Sequence, residues 1–374
     1  MTNSLRARDL GVPFEGSPGA FNAITDVPGV AVGHSTLIEG GEGDHAIRTG
    51  ITVIHPLGAD GRGAVAAGRA VINGTGEWTG MHLVDEIGEF FGPVALTGTG
   101  NLGVVHRALV EWSSRQSDLL EDELYMRSLP VVGETLDSML NDVFGGALGR
   151  EHVFAALDRA SSGPVTEGNV GGGTGMVAYQ FKGGIGTSSR VVAMDDRRYT
   201  VGVLVQTNHA RRRELRIAGI PIGAAIADLM PSVGSIQAEG SISERRKSSL
   251  LVVIATDAPL QSHQLSRMAR RASLGVGRSG STAGGFSGEF ALAFSTANSQ
   301  HLNEGMLSAN FIHDHDSKSL NALFRGTVEA VEEALVNQLV ASETMTGKRG
   351  LQVYSLPHDR LVDLLRRHSM LLTT

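Results

Sequence analysis

Leu250-Leu251-Val252-Val253-Ile254-Ala255 is apolar without interruption, which reads as a strand buried on both faces rather than a surface one. The segment before it is its opposite: Pro231 to Ser248, PSVGSIQAEGSISERRKS, is Ser/Gly-rich, charged at its end and without apolar periodicity, and reads as an exposed loop or linker. Ser249 stands at the junction, a hydroxyl where a loop enters a core strand. After the run, Thr256-Asp257-Ala258-Pro259 predicts a helix start, with Asp257 as cap and proline in the first turn.

Other β-type runs are Ile51 to Ile54, Gly63 to Ile72, Arg190 to Met194, Tyr199 to Val205 and Glu289 to Phe294. The polar pair Asp195-Asp196 between two β-branched segments predicts a hairpin. Leu320, Leu323, Phe324, Val328, Val331, Leu335 and Leu339 mark one helical apolar stripe, and Leu260 to Ala272 and Asp359 to His368 are shorter helix candidates. No strict repeat of about 20–50 residues occurs, which argues against a solenoid or propeller.

With 32 basic against 39 acidic side chains the net charge is −7, unsuited to a general nucleic-acid binder. Cysteine is absent, which removes disulfides, thiolate metal sites and cysteine nucleophiles together. Any nucleophile must be an oxygen or a nitrogen. The start, MTNSLRARDLGVPFEG, has no apolar stretch of the signal-peptide kind, and the longest apolar run, Ile217 to Ala227, is broken by Gly219, Pro221 and Gly223 and is too short to span a bilayer. A soluble, cytoplasmic protein without membrane partners is expected.

Glycine is in excess, 49 residues, which calls for tight turns and close backbone approaches. Gly98-Thr99-Gly100-Asn101-Leu102-Gly103 fits a dinucleotide-binding pattern and lies between strand-like and helix-like segments, so a nucleotide-binding oxidoreductase is one alternative. That fingerprint also needs a following strand ending in an acid. SSRQSDLLEDELYMRS follows instead, polar and helical, and a tight strand–helix turn is the expectation. Gly171-Gly172-Gly173-Thr174-Gly175 lacks the G-K-[ST] ending of a phosphate loop and suits close packing beside a cleft. His313-Asp314-His315-Asp316 reads as a solvated loop and not a metal site. Arg211-Arg212-Arg213 and the trio Arg267, Arg270 and Arg271 read as solvated faces. Ser287 and Glu289, two residues apart, share a face if extended, as a proton relay or as a plain strand edge.

Six blocks in order carry a resemblance: Asp26 to His34, Leu129 to Thr135, Glu167 to Gly175, Phe181 to Thr187, Ser249 to Leu260, and Ser287 to Thr296. Together, over about residues 20 to 355, they resemble the DmpA-type aminopeptidases, which include L-aminopeptidase/D-esterases and β-peptidyl aminopeptidases. The resemblance implies an α+β protein, a four-layer α-β-β-α sandwich of the DmpA and ornithine acetyltransferase type. It implies a cofactor-free, self-processing N-terminal-nucleophile hydrolase, one catalytic domain cut between Ser248 and Ser249 into fragments 1–248 and 249–374, and assembled as a tetramer.

By the same resemblance, Ser249 is nucleophile and new N-terminus. Its α-amine, with a reference pKa of about 7.7–8.0, takes the hydroxyl proton, so no histidine is needed. Asn208 would offer an amide donor to the oxyanion, Ser287 and Glu289 would support the amine and hydroxyl of Ser249, and Glu134 would face the substrate's ammonium. The expected substrates are short peptides, amides or esters with a free amine. Two departures from the relatives stand out: Met139 where an aromatic residue is common, and Ser248 where the residue before the cut is Gly or Asn. Acyl transfer of the ornithine acetyltransferase kind, which uses threonine, is the nearer alternative.

Overall fold

The strand that carries the apolar run, Ser248–Thr256, lies inside a six-stranded sheet with neighbours on both edges. The computed structural model describes residues 5–41, 43–58, 63–115, 121–194, 196–234, 236–237, 248–297, 299 and 311–372. Strands are numbered β1–β16 and helices α1–α8 along the described chain. The larger sheet runs in the order β4 (Glu89–Phe91), β3 (Ala64–Gly74), β14 (Ser287–Ser295), β13 (Ser248–Thr256), β10 (Arg197–Asn208), β9 (Ile185–Met194). A four-stranded sheet runs β1 (Ala31–Glu39), β2 (Ile47–His55), β5 (Val94–Gly98), β6 (Val131–Thr135). Short strands complete the set: β7 (Val177–Ala178) with β8 (Phe181–Lys182), and β11 (Ser232–Val233), β12 (Ile236–Gln237), β15 (Met345–Thr346) and β16 (Leu351–Val353) together. The helices are α1 (Met81–Ile87), α2 (Leu102–Ser114), α3 (Glu121–Arg127), α4 (Arg150–Asp158), α5 (Ile222–Ala225), α6 (Ser262–Arg278), α7 (Ser317–Ala341) and α8 (His358–Arg367).

Side-chain alternation along β13 explains the layers. Leu251, Val253 and Ala255 pack between the two sheets with Trp78, Phe290, Leu96 and Val131. Leu250, Val252 and Ile254 face the other way, against Leu265, Met268, Leu323 and Val331 of α6 and α7. The outer face of the smaller sheet is covered by Val105 and Leu109 of α2 and Val153 and Leu157 of α4. Helix, sheet, sheet, helix is the expected four-layer α+β sandwich. Each Leu, Ile or Val fully buried in it contributes about 1.5–3 kcal/mol. Gly186 marks how closely a helix lies on the larger sheet, since a Cβ there would stand 2.1 Å from the Ala334 carbonyl oxygen.

The hairpin forms, with β9 and β10 antiparallel and Met194 opposite Arg197. The α7 stripe is buried as expected at Leu320, Leu323, Phe324, Val331, Leu335 and Leu339, but this helix is wrapped on more than one side. Glu333, on its polar side, is buried and bonds Arg8 and Arg190.

Three expectations are corrected. Asp257 caps no helix: α6 begins at Ser262, and the Asp257 carboxylate accepts from the Thr200 N–H at 2.6 Å, tying the end of β13 to β10. The start of the 231–248 segment is not loop, because Ser232 and Val233 pair with Gln352 and Leu351 of β16; 235 and 238–247 lie outside the described residues. The basic clusters are not simple solvated faces. Arg212 is buried, with its guanidinium 3.2 Å from the Phe181 ring centroid, and Arg267 and Arg271 lie 5.2 and 4.0 Å from that of Phe324.

Candidate active site

Ser249 is the second residue of β13 and is buried. It is opposite Asn208 in the antiparallel pair with β10 and level with Gly288 in the parallel pair with β14. Its side chain points between the sheets, on the Leu251 side. There its hydroxyl oxygen accepts from the Leu136 backbone N–H at 3.1 Å and from Asn208 Nδ2 at 3.3 Å. Two donors on one oxygen lower the cost of negative charge there and leave the hydroxyl proton free to depart. Asn208 is itself oriented, because its Oδ1 accepts from the Val177 N–H at 3.2 Å.

Ser248 points to the opposite face, and its hydroxyl accepts from the Ala210 N–H at 3.3 Å. Ser287 and Glu289 lie on that face too, one on each side of Gly288, so they flank the Ser249 backbone and make no hydrogen bond to its hydroxyl. Ser287 donates to the Gly284 carbonyl at 2.8 Å and accepts from Asn73 Nδ2 at 2.9 Å. Glu289 is fully buried with no hydrogen-bond partner on either oxygen. Burial pushes its carboxyl up to about 7, opposed by the nearby Ser287 hydroxyl and reinforced by the negative charge of Glu214. A cavity of about 100 Å³ opens on this side, lined by Arg211, Glu214, Ser248, Phe286 and Ser287 among others.

Glu134 sits near the end of β6, buried between the sheets' ends. Its Oε1 accepts from the Glu77 N–H at 2.9 Å, and the Thr99 hydroxyl donates to its Oε2. Among the described residues it neither caps a helix nor pairs with an arginine, and both of its partners there are neutral. Thr99 belongs to the Gly98–Gly103 turn, which is the tight strand–helix junction expected, β5 leading into α2. Gly76 lies close to both this acid and the backbone of Gly288, the register neighbour of Ser249. A Cβ built on Gly76 would lie 3.1 Å from Glu134 Oε1 and 3.5 Å from the Gly288 Cα.

Several contributors had no signal in the sequence. Leu136 acts through a backbone N–H, and Asn73 reaches Ser287 from β3. Asp137, buried beside Thr49 at 2.7 Å, keeps one oxygen unpartnered. Its carboxyl is pushed up to about 6 by burial, against hydrogen bonds from Thr49 and Asn141 and with help from the charge of Glu134. Met139 packs on the cluster of Leu140, Val177, Met345 and Val353. The His313–Asp316 stretch serves local structure. Asp314 bonds His263 at 2.8 Å, Asp316 caps α7, and no group of three potential metal ligands occurs among the described residues.

The Peptidase family S58 pattern matches residues 22–353. The chain belongs to this family. It is 63% identical over 369 residues to the β-peptidyl aminopeptidase BapA of Sphingosinicella xenopeptidilytica, covering 96% of this chain and 91% of that protein. Its structure is similar to that of the L-aminopeptidase D-Ala-esterase/amidase of Ochrobactrum anthropi, a variant of the Ntn-hydrolase fold, with a TM-score of 0.87, 42% identity and coverage of 98% and 99%. The β-aminopeptidase of a Burkholderia species is similar at a TM-score of 0.84 and 43% identity, covering 97% and 99%. The expected family, fold class and enzyme class, an aminopeptidase-type hydrolase, hold. The acyltransferase reading is not favoured. Among the described residues no helix is long and apolar enough to cross a membrane.

Proposed function

We propose that this chain is a self-processing serine aminopeptidase that releases small N-terminal residues, β-residues included, from short peptides, amides and esters. The observation that carries this reading is the Ser249 hydroxyl, held by Leu136 N–H and Asn208 Nδ2 at the head of a core strand. In maturation the Ser249 oxygen attacks the Ser248 carbonyl carbon, the Ser248–Ser249 C–N bond breaks, and the freed nitrogen takes up the proton. Water then hydrolyses the ester, leaving a Ser248 carboxylate and a Ser249 amine. In turnover that amine takes the hydroxyl proton while the oxygen attacks the substrate carbonyl. Asn208 donates to the oxyanion, the ammonium returns its proton to the leaving amine, and water releases the acyl group.

Ser287 and Glu289 keep the Ser249 amine in place, in keeping with their positions beside its backbone. Glu134 takes the substrate's ammonium: its present partners are neutral, so an added cation would complete a charge-assisted bond. The family resemblance further supports four processed units per assembly and a cytoplasmic setting. The test is hydrolysis of a β-alanyl amide beside its N-acetyl analogue, with denaturing mass analysis of the same sample. Two fragments meeting at Ser249 and selective loss of the free-amine substrate support the reading; an uncut, active chain refutes it.

A further inference from the structure

Lys182 is fully buried. Its ammonium donates to the carbonyl oxygens of Met176 at 2.9 Å, Gly183 at 2.5 Å and Gly173 at 3.3 Å. All three partners are neutral backbone atoms, so peptide dipoles solvate the charge, and among the described residues no carboxylate pairs with it. Burial pulls its pKa down to about 7. Three acceptors for three N–H bonds nevertheless fit the ammonium, whereas a neutral amine would set its lone pair against a carbonyl. A lysine in this position is a costly way to fill a core.

The Met176 carbonyl belongs to the same peptide unit as the Val177 N–H. On one side that unit faces Lys182, with the Gly183 N–H adding a second donor to the Met176 oxygen at 2.9 Å. On the other side its N–H reaches Asn208 Oδ1 at 3.2 Å, and Asn208 Nδ2 reaches the Ser249 oxygen at 3.3 Å. A cation at the oxygen of an amide draws electrons from its nitrogen and makes the N–H a stronger donor. That donor polarises the next amide in the same sense. The Val177 contact also fixes which end of the Asn208 amide faces the serine. We infer that Lys182 is a positioning residue for catalysis: through the Met176–Val177 peptide it orients and polarises the Asn208 amide toward the oxyanion that develops beside Ser249 during attack.

This inference rests on the reading of Ser249 as nucleophile and Asn208 as oxyanion donor. The test uses the matured enzyme and steady-state kinetics on a free-amine amide. Lys182→Met removes the charge at similar length, and Lys182→Arg keeps it. The expected result is a fall in kcat of about tenfold for Lys182→Met with KM within about twofold, since only charge developed in the transition state is affected. Lys182→Arg should retain most of that kcat although it fits the space less well. In an Asn208→Ala background, Lys182→Met should cost nothing further, because the amide it acts on is gone. Equal proportional losses with and without Asn208, an arginine variant as slow as the methionine one, or failure of both variants to give folded, matured enzyme would each assign Lys182 to folding alone and overturn the inference. Full turnover by Ser249→Ala or Asn208→Ala is a different outcome and refutes the underlying reading itself.

Discussion

Ser249 and Asn208 face each other as register partners across the β13–β10 ladder, and their side chains meet between the sheets at 3.3 Å. The pairing makes the hydroxyl and its amide donor a product of sheet register. A slip of one residue in β10 would turn Asn208 toward the helices and bring Thr207 to the serine.

Ser249→Ala should yield one intact chain near 39.3 kDa under denaturing conditions, without aminopeptidase activity. Its thermal stability should stay close to that of the native chain, because the change deletes one hydroxyl from a strand bonded on both edges. Mass spectrometry and a chromogenic assay read both parts. A Ser249→Ala chain cut at the same bond would remove the serine from the processing step.

Asn208→Ala should lower kcat by roughly 10²–10³ with KM little changed, the usual cost of losing one oxyanion donor. The measurement belongs on enzyme already shown to be two fragments, so that slow maturation is not mistaken for slow turnover. Unchanged kcat would leave the Leu136 N–H as the principal donor.

Glu134→Gln should raise KM for free-amine substrates, and N-acetylated analogues should be poor substrates of the native enzyme. A buried carboxylate rewards an ammonium, while an acylated nitrogen leaves it unpaired. Fragment formation should be spared. Equal turnover of free and acetylated substrates by the native enzyme would point to a general amidase.

Glu289 predicts a pH signature in stability. Its folded pKa, about 7, lies above the 4.5 of an ordinary glutamate. The folded state thus holds a proton that the unfolded state releases, and the stabilisation is complete below about 4.5 and lost as pH rises through about 7. The difference is on the order of 3 kcal/mol. Urea unfolding of the uncut Ser249→Ala chain should become easier across that window, and the same chain with Glu289→Gln should show a shallower dependence, the buried Asp137 and Glu167 carboxyls contributing the rest. Parallel pH profiles for the two chains would mean that Glu289 is not protonated in the fold.

What the sequence made legible was what composition encodes locally. Leu250 to Ala255 read as a doubly buried strand, and the polar break between two β-branched segments read as a hairpin, which β9 and β10 form. The family resemblance put Asn208, Ser287 and Glu289 among the residues expected near Ser249, and spacing alone left Ser287 and Glu289 ambiguous. The rest depends on distant segments. Arg212 sits in a basic triplet that reads as solvated, yet the carbonyls of Tyr179, Gln180, Ile226 and Leu229 bond its guanidinium. Asp257 has the right neighbours for a cap and instead ties down β10. The Leu136 N–H leaves no trace in a side-chain pattern, because any residue but proline offers one.

The place of β13 in its sheet bears on how this protein can be made. A newly cut chain end ordinarily frays, but Ser248–Thr256 is laddered to β14 along one edge and to β10 along the other, so its register does not depend on the peptide bond that precedes it. Residues 249–374 translated from a second reading frame, behind a start methionine that a host enzyme removes, should then find the same register between those strands. Nucleophile identity and peptide-bond scission would become separable variables, and residues that self-cleavage forbids at position 249 could be tried as the catalytic group.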